Sequence, residues 1–450
     1  MKHLRLLAAA LVALAPAVTS APLAAQQSAQ RADRLTLTDY LEWEGVGNPQ
    51  LSPDGKSIIY SRSWVDKLND KRMSSIHIMN ADGTKPRKLV DGSAPSWSPD
   101  GSRIAYIATG EPNASSQIFT RYMDAEGAVT QVTRLTSAPG NVKWAPDGKT
   151  LAFTTQVPNN TPQSKAEGAM AQYRPRGANW TAAPRVVSSL DYRQDGVGFN
   201  ADATQHLFVV PADGGTPRQV TSGQWNAGSG QWTPDGKTLV YSSGPRVPDA
   251  EYEWRESEVY SVDVATGAIK ALTTRKGPDN SPSVSPDGKW IAYTGYDITT
   301  DTWIDSKLYL MSIDGSGSKL LLDIDRSPQN LTWASDGSGI YFTVQSEGWQ
   351  NLHFVTTSGQ HRAVTTGSQM LTVTDIHPSG VAVGTMATSS KPGDVVTFNL
   401  KTPTQIRELT DVNADVLAGK KIGAVEEIWY TSLDNLKIQG WIVKPPDFDP

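Results

Sequence analysis

A sevenfold internal repeat constrains the fold of this chain more than any other feature. Five copies carry an intact Pro-Asp-Gly turn behind an apolar or aromatic residue, and two copies are degenerate. Proline presets φ, aspartate bonds the local backbone and glycine accepts a positive φ, so each copy predicts a strand, a tight turn and a second strand. The motif glycines are Gly55, Gly101, Gly148, Gly236, Gly288, Gly337 and Gly380.

A second half-repeat follows each copy, with an apolar run, a turn and, in most copies, an aliphatic residue followed by threonine. Seven first halves and seven second halves predict seven four-stranded antiparallel sheets. Each sheet leaves an apolar face that only a neighbouring sheet can cover, so the sequence predicts an all-β fold, a seven-bladed β-propeller. The aliphatic–threonine pairs are Leu135-Thr136, Val220-Thr221, Leu272-Thr273, Val364-Thr365 and Leu409-Thr410.

One repeat is longer than the others: Gly148 and Gly236 are 88 residues apart, against 43 to 52 for the other neighbouring motif glycines. An eighth, degenerate blade could fill the gap. Only one first half and one second half lie across it, so we predict an insertion in blade 3, residues 157–205.

Antiparallel pairing also predicts the face of the propeller on which this insertion lies. With the strands of a blade named A to D in chain order, the A–B and C–D turns share one face, and the B–C loops and D–A links share the other. The insertion and both ends of the propeller therefore fall on this second face, the B–C face. Each blade takes its strands consecutively, so side-chain packing alone is expected to close the ring, which eases its opening.

The first 25 residues indicate a signal peptide. A basic start precedes the apolar run Leu6 to Val18, and small residues suited to cleavage after Ser20 or Ala25 follow. The run is too short to cross a bilayer, and the alternative is a buried N-terminal helix. The chain has no cysteine, which excludes disulfides and thiolate metal sites. We therefore predict a periplasmic or secreted protein, without a membrane span.

Four regions follow from these signals. Residues 1–25 are the signal peptide, residues 26–45 an N-terminal segment and residues 46–411 the propeller. In residues 412–450 the Pro-Asp-Gly rhythm stops, and one more hairpin is expected from Val425 to Val443. A net charge of −5 without a Lys/Arg stripe excludes a nucleic-acid surface.

Residues 35–450 resemble the non-catalytic part of secreted bacterial peptidases of the prolyl oligopeptidase family, in the acylaminoacyl-peptidase and dipeptidyl-peptidase-like branch. The resemblance implies an α/β-hydrolase domain with a Ser-Asp-His triad beyond the last hairpin, and this chain carries only the start of that domain. It also implies that the propeller admits and holds peptide substrates. The segments that carry the resemblance are residues 190–198, 277–288, 291–297 and 438–446.

The sequence itself offers no catalytic machinery. It lacks the Gly-x-Ser-x-Gly elbow that would project a serine nucleophile, and the remaining histidines are scattered over the repeat. No phosphate loop, zinc motif or cofactor fingerprint is present, so we expect no catalytic residue, no metal and no cofactor. The Asp residues of the turns, one per blade, are interpreted as turn caps rather than calcium ligands. Those histidines are His77, His206, His353, His361 and His377.

Acidic and aromatic loops on the B–C face are the candidate substrate-binding residues. Glu251, Glu253 and Trp254 of blade 4 could hold a peptide amino group by charge-assisted bonds and cation–π contact. Arg193, in the insertion, could bind a substrate carbonyl or carboxylate. The alternatives are solvated loops with a rim tryptophan, and a structural pair of Arg193 with Asp195.

The predicted function is that of a substrate-gating and substrate-positioning propeller of a secreted serine peptidase, inactive by itself. Its expected partner is a peptide bound at the B–C face. The sequence does not predict the oligomeric state. The alternative is a free-standing periplasmic propeller that binds proteins, like the one in the Tol envelope system. The insertion and the C-terminal hairpin favour the first interpretation, because a pure binding propeller would have little use for either.

Overall fold

The computed structural model describes residues 33–159, 168–181, 185, 187, 190–246, 252–253 and 255–449. Within this part, the chain forms seven four-stranded antiparallel units, whose strands are named A to D in chain order. In six units the four strands are consecutive, and in the third a small hairpin lies between strands B and C. The sixth and seventh units share one sheet because a parallel bridge joins Gln350 to Met370. The sequence therefore correctly predicted an all-β chain of repeated four-stranded units.

The strands follow the two half-repeats closely. The first four units consist of Gly45–Leu51, Ser57–Asp66, Lys71–Asn80 and Arg87–Asp91; Ser93–Trp97, Arg103–Gly110, Ser115–Tyr122 and Val129–Gln131; Gly140–Trp144, Thr150–Pro158, Ala203–Pro211 and Arg218–Gln219; and Gln231–Trp232, Thr238–Ser243, Glu258–Asp263 and Ile269–Ala271. The last three units consist of Asp279–Val284, Trp290–Gly295, Lys307–Ser312 and Lys319–Leu322; Gln329–Trp333, Gly339–Ser346, Trp349–Thr356 and His361–Ala363; and Met370–Ile376, Val381–Thr388, Lys391–Asn399 and Thr402–Glu408.

The remaining elements lie outside these units. They are the 3-10 turn Asp39–Leu41, the short helix Ala414–Leu417, the insertion hairpin Arg193–Gln194 with Gly198–Phe199, and the C-terminal hairpin Val425–Thr431 with Lys437–Val443. The third unit resumes at Ala203, so strands B and C take residues from both ends of the predicted insertion 157–205. Among the described residues, none of the helices has the length and apolar character needed to cross a membrane.

The aspartates of the repeat cap the A–B turns, as the sequence predicted. Asp100 accepts bonds from Ser98 Oγ at 2.6 Å and from the Ser102 backbone N–H at 3.1 Å. Gly101 follows with φ of +71°, which a residue with a Cβ rarely adopts. The same two bonds, from a hydroxyl and from a backbone N–H, recur at Asp54, Asp235 and Asp287.

The tryptophans that precede these turns join neighbouring units. Each indole N–H donates to a strand A carbonyl of the preceding unit, at 3.0 Å for Trp144 and Trp333 and at 3.4 Å for Trp97 and Trp232. These side chains therefore pack between neighbouring units.

The hydrophobic core is divided into clusters between units rather than within them. Each cluster combines side chains of two consecutive units, such as Phe153 and Ile118 of units three and two. One cluster combines Tyr60 of the first unit with Val383 of the seventh. The units thus pack each against the next and the last against the first, which is the packing order of a β-propeller.

The contact between the first and last units is more than side-chain packing. The Asp375 carboxylate accepts a bond from the Leu51 backbone N–H at 2.9 Å. Thr374 Oγ1 donates to the Pro49 carbonyl at 2.5 Å. The expectation of packing alone was therefore incomplete, because two side chains also hold strand A of the first unit through its backbone.

Candidate functional site

The C-terminal hairpin lies on the B–C face. Trp441 packs edge-on against Trp349, with ring centroids 6.5 Å apart. Gln439 Nε2 donates to the Glu347 carbonyl at 2.9 Å, in the B–C turn of the sixth unit. Trp429, Tyr430, Ile442 and Val443 of this hairpin are exposed. Tyr430 and Ile442 lie on the side away from Trp441, and Trp429 and Val443 lie on the same side as Trp441, so both sides of the hairpin expose apolar surface.

The N-terminal segment is bound to the region between the seventh unit and that hairpin. Asn413, almost fully buried, accepts a bond from the Glu44 N–H at 2.8 Å and donates to the Glu44 carbonyl at 2.9 Å. Lys420 Nζ lies 3.0 Å from the Asp39 carboxylate. Both ends of the described chain therefore meet beside the B–C face, as antiparallel pairing predicts.

The acidic B–C loop of unit four is held by the link to unit five. Glu253 pairs with Lys276 at 3.0 Å. Glu256 accepts from the Gly277 N–H at 3.0 Å, and its carboxylate lies 3.4 Å from the same lysine. The Glu253 carboxylate therefore already forms an ion pair with Lys276. A substrate amine would bind beside this lysine or displace it. Glu251 and Trp254, the other two candidates of this loop, lie outside the described residues.

Arg193 opens the small hairpin of the insertion. Its guanidinium carbon lies 6.0 Å from the Phe199 ring centroid, and that of Arg185 lies 4.4 Å from the same ring. The described part of the chain shows no contact between Arg193 and the Glu253–Lys276 pair. A role of Arg193 in binding a carbonyl or carboxylate stays a prediction.

A buried charged group underlies the acidic loop. Arg275 forms an ion pair with Asp279, whose side chain is fully buried, and lies 3.4 Å from Asp297. The guanidinium carbon also stands 4.1 Å from the Tyr309 ring centroid. Burial raises the pKa of the Asp279 carboxyl group, and the bond from Arg275 opposes this rise.

Glu258 lies at the edge of this group, at the start of strand C. Burial raises the pKa of its carboxyl group to about 7, and the negative charge of Asp279 adds to the rise. Thr273 Oγ1 donates to this carboxyl group at 2.5 Å, and this hydrogen bond opposes the rise in the pKa of Glu258. Glu258 is therefore a group that gains or loses its charge near neutral pH, directly beside the candidate loop.

Thr273 belongs to an arrangement that recurs in five units. The threonine hydroxyl accepts a bond from the backbone N–H of an aliphatic residue in strand C, and it also bonds the side chain of the residue that precedes this aliphatic residue. For Thr410 the aliphatic residue is Val395, at 2.9 Å, and the preceding side chain is that of Asp394, at 2.6 Å. In unit two the threonine is Thr133, which bonds Ile118 and Gln117, so the predicted pair Leu135-Thr136 was the wrong one. The side chains held in this way are Gln117, His206, Glu258, Asn351 and Asp394.

Because strand C begins at the B–C loop, these five side chains form a polar layer beneath the B–C face. Sequence reasoning recognised the threonines but not their partners. The available signal was a polar residue directly before the first aliphatic residue of each strand C, about 15 residues before the threonine.

A groove of about 560 Å³ lies elsewhere, between the first and seventh units. Gly55 of an A–B turn and Asp82 of a C–D turn line it, so it opens on the face opposite the candidate loops. It does not include Arg193 or Glu253.

Comparisons with known proteins agree with this architecture. Residues 192–302 match the dipeptidyl peptidase IV N-terminal region. Dipeptidyl-peptidase 5 of Porphyromonas gingivalis is 24% identical over 449 residues, covering 96% of this chain and 64% of the relative. An uncharacterised peptidase of Bacillus subtilis, YuxL, is also 24% identical, covering 92% of this chain and 64% of its own. A Tol-Pal system protein TolB of Francisella tularensis is 29% identical over 133 residues, 29% of this chain.

Solved structures show the same fold. The acylaminoacyl peptidase of Pyrococcus horikoshii superposes with a TM-score of 0.70 at 19% identity, covering 90% of this chain and 58% of its own. The β-propeller domain of the Trilobed protease from Pyrococcus furiosus, described as having an open velcro topology, superposes with a TM-score of 0.58 at 17% identity. That match covers 83% of this chain and 97% of the domain.

The fold and these matches define a β-propeller of the kind that peptidases carry. The chain is similar to the propeller portion of peptidases of the prolyl oligopeptidase family. It spans less than two thirds of the length of the curated relatives it matches.

Proposed function

We propose that this chain gates and positions peptide substrates for a serine peptidase domain that stands on the B–C face. The observation that carries the proposal is the exposed apolar surface on both sides of the C-terminal hairpin, which shares this face with the insertion and the acidic loop. Exposed tryptophan, tyrosine and aliphatic side chains on a hairpin are typical of a surface that another domain covers. A peptide held between the two domains would then meet Glu253 and its neighbours.

The proposed architecture is a closed ring of blades followed by a hydrolase domain. The seven units are seven blades of one ring, closed by the contact between the first and last units. The hairpin Val425–Val443 begins the hydrolase domain that the prolyl oligopeptidase family implies. The first 25 residues have the pattern of a signal peptide and support export. The similarity of part of the chain to a Tol-Pal system protein TolB agrees with a periplasmic or secreted location.

Within this function, Glu253 and Glu251 bind the free amino group of the substrate, Trp254 lines the same position, and Arg193 contacts a substrate carbonyl or carboxylate. A carboxylate that holds a cationic amine by charge-assisted bonds favours peptides with a free N-terminus over acylated ones. The buried Arg275–Asp279 pair keeps the link that carries Lys276 in place.

The first test reads the coding sequence past codon 450. The expected result is an open frame with a Gly-x-Ser-x-Gly elbow and later Asp and His codons. The full-length protein should then cleave chromogenic peptide substrates, and its Ser→Ala variant should not. A stop codon directly after Pro450, or a full-length protein without peptidase activity, would contradict the proposal.

The second test examines Glu253 in that full-length enzyme. We expect Glu253→Gln to raise KM for a substrate with a free amino group about three- to tenfold, with little change in kcat. The N-acylated form of the same peptide should show no change in KM.

Lys276→Gln is the matched control because it breaks the same ion pair while leaving the carboxylate. If Glu253 only anchors the loop through Lys276, both variants should behave alike on both substrates. Equal effects of the two variants would therefore exclude Glu253 as an amine-binding residue.

A further inference from the structure

Two histidines of the sixth unit meet edge to edge. His353 lies in strand C and His361 in strand D, across the C–D turn. The Nδ1 atom of His353 is 2.9 Å from the Nε2 atom of His361. The rings are inclined by only 12°, with centroids 5.2 Å apart. These distances place the two nitrogens on the line between the rings, so the two imidazole groups are nearly coplanar and share one hydrogen bond.

The pair packs against an aromatic ring on one side and is open to solvent on the other. The adjacent Phe342 ring packs against both histidines, at 5.8 Å from each centroid. Arg362 belongs to the opposite side of the sheet, stacked on Phe354, so its charge is turned away from the pair.

The two imidazole nitrogens are separated by the distance expected for neighbouring ligands of one metal ion. Ligands about 2.0–2.1 Å from one ion and about 90° apart around it are separated by about 2.9 Å. In the hydrogen-bonded pair the two nitrogens face each other, so each ring would have to turn by about 45° to direct its lone pair at a common ion. His361 is exposed, so its ring has room for this rotation. Tetragonal coordination by nitrogen is typical of Cu²⁺ and Ni²⁺, and Cu²⁺ binds more tightly of the two.

We propose that His353 and His361 bind one Cu²⁺ ion, with water completing its coordination. The described residues contain no group of three or more His, Cys, Asp or Glu side chains suited to a metal, so the site has two protein ligands. The ion replaces the hydrogen bond between the rings and connects strand C to strand D. Strand D of this unit is only three residues long, His361–Ala363, so the ion holds a short outer strand in place.

The test is a Cu²⁺ titration of the untagged full chain, with His3→Gln in every protein compared because the N-terminal amine and His3 can also bind Cu²⁺. We expect one equivalent of bound Cu²⁺, an electron paramagnetic resonance spectrum with superhyperfine coupling to two nitrogens, and a rise in Tm on metal addition. His353→Gln and His361→Gln should each weaken binding at least about tenfold and abolish the rise in Tm.

His77→Gln is the matched control. His77 occupies the equivalent strand C position of the first unit, opposite Tyr60 as His353 is opposite Phe342. Its strand D partner is Lys88, as that of His353 is Ala363, and strand D of the first unit, Arg87–Asp91, contains no histidine. It should bind Cu²⁺ as the parent does. Failure of the parent to bind Cu²⁺, or binding that survives both His353→Gln and His361→Gln, would overturn the proposal. Circular dichroism shows whether each variant is folded, and either one that folds is sufficient for the comparison.

Discussion

Glu258 shows how one side chain can make this propeller sensitive to pH. Its carboxyl group is half-buried between Thr273 and the Arg275–Asp279 pair, and its pKa is raised to about 7, with burial as the main cause. The ordinary value is 4.5, so the folded state binds this proton more tightly than the unfolded state does. The resulting stabilisation is complete below about pH 4.5 and is lost as the pH rises through about 7.

Glu258→Gln tests the direction of this pH dependence of stability directly. The amide stays neutral and can still accept a hydrogen bond from the Thr273 hydroxyl, so the variant should match the wild type at pH 4. At pH 8 it should be more stable by about 1–2 kcal/mol, after allowance for partial solvent exposure, because the wild type then carries a partly desolvated charge. Thermal or urea unfolding at both pH values measures the difference. The exposed-turn variant Glu126→Gln is the control and should show no such dependence; equal behaviour of the two variants at pH 8 would refute the assignment.

The A–B turn is the element that repeats most faithfully, and its side-chain bonds differ between units. Asp100 accepts bonds from Ser98, from the Ser102 backbone and, at 2.7 Å, from the Ser102 hydroxyl. These bonds lower its pKa to about 2, with the Ser98 bond as the main cause. In the third unit Ala145 stands where Ser98 stands, and Asp147 accepts the Lys149 N–H at 2.9 Å. The same turn therefore depends on its aspartate to different degrees.

Asp100→Ala should destabilise the protein by about 1–2 kcal/mol, because two hydroxyl groups and one N–H lose their acceptor. Asp147→Ala, the matched variant, should lower the free energy of unfolding by about half as much as Asp100→Ala, or less. Denaturant unfolding at pH 7 gives both values. Since the Asp100 pKa is lowered, its contribution should be lost as the pH falls from 3.8 towards about 2. A larger loss for Asp147→Ala would contradict the role assigned to the serines.

On the scale of the whole molecule, the contact between units one and seven differs from every other contact between neighbours. Consecutive units are tethered by a D–A link, whereas units one and seven are joined only through non-covalent contacts. Asp375 and Thr374 bond the backbone of strand A in the first unit. We therefore expect these bonds to control how readily units one and seven separate.

Asp375→Ala should increase amide hydrogen exchange in Gly45–Leu51 and Met370–Ile376 at least about tenfold, with little change in units three to five, because the Leu51 N–H loses its buried acceptor. Asp375→Asn keeps an acceptor oxygen and should exchange nearly as the wild type does. Hydrogen–deuterium exchange with mass spectrometry resolves these segments. Uniform acceleration across all units, or none, would show that the first-to-last contact is not a separate opening point.

Much of the fold followed from local chemistry. The Pro-Asp-Gly turns, the alternating apolar strands and the tryptophans between blades act over a few residues or repeat at a regular spacing, so they can be recognised without a structure. The C-terminal hairpin was predicted in the same way, from Val425 to Val443. The pair Leu135-Thr136 was wrong because Thr133 and Thr136 lie in equally suitable local sequence, and only the bond to Ile118 distinguishes them.

The candidate site was predicted less completely. The sequence pointed to Glu253 as a candidate for binding a peptide amino group, and the structure shows its carboxylate paired with Lys276, 23 residues away. The polar layer beneath the B–C face and the buried Arg275–Asp279 pair were not anticipated, because their chemistry depends on burial, which a single sequence does not display.

The sequence alone determined the repeat, the four-stranded unit, the insertion in the third unit and the family resemblance, since each rests on residues close together in the chain or on regular spacing. Tertiary structure decided which charges are paired, which histidines meet and how the first unit joins the seventh. Those contacts bring together strands and loops from different parts of the chain, and their distances and burial exist only once the units have packed against one another.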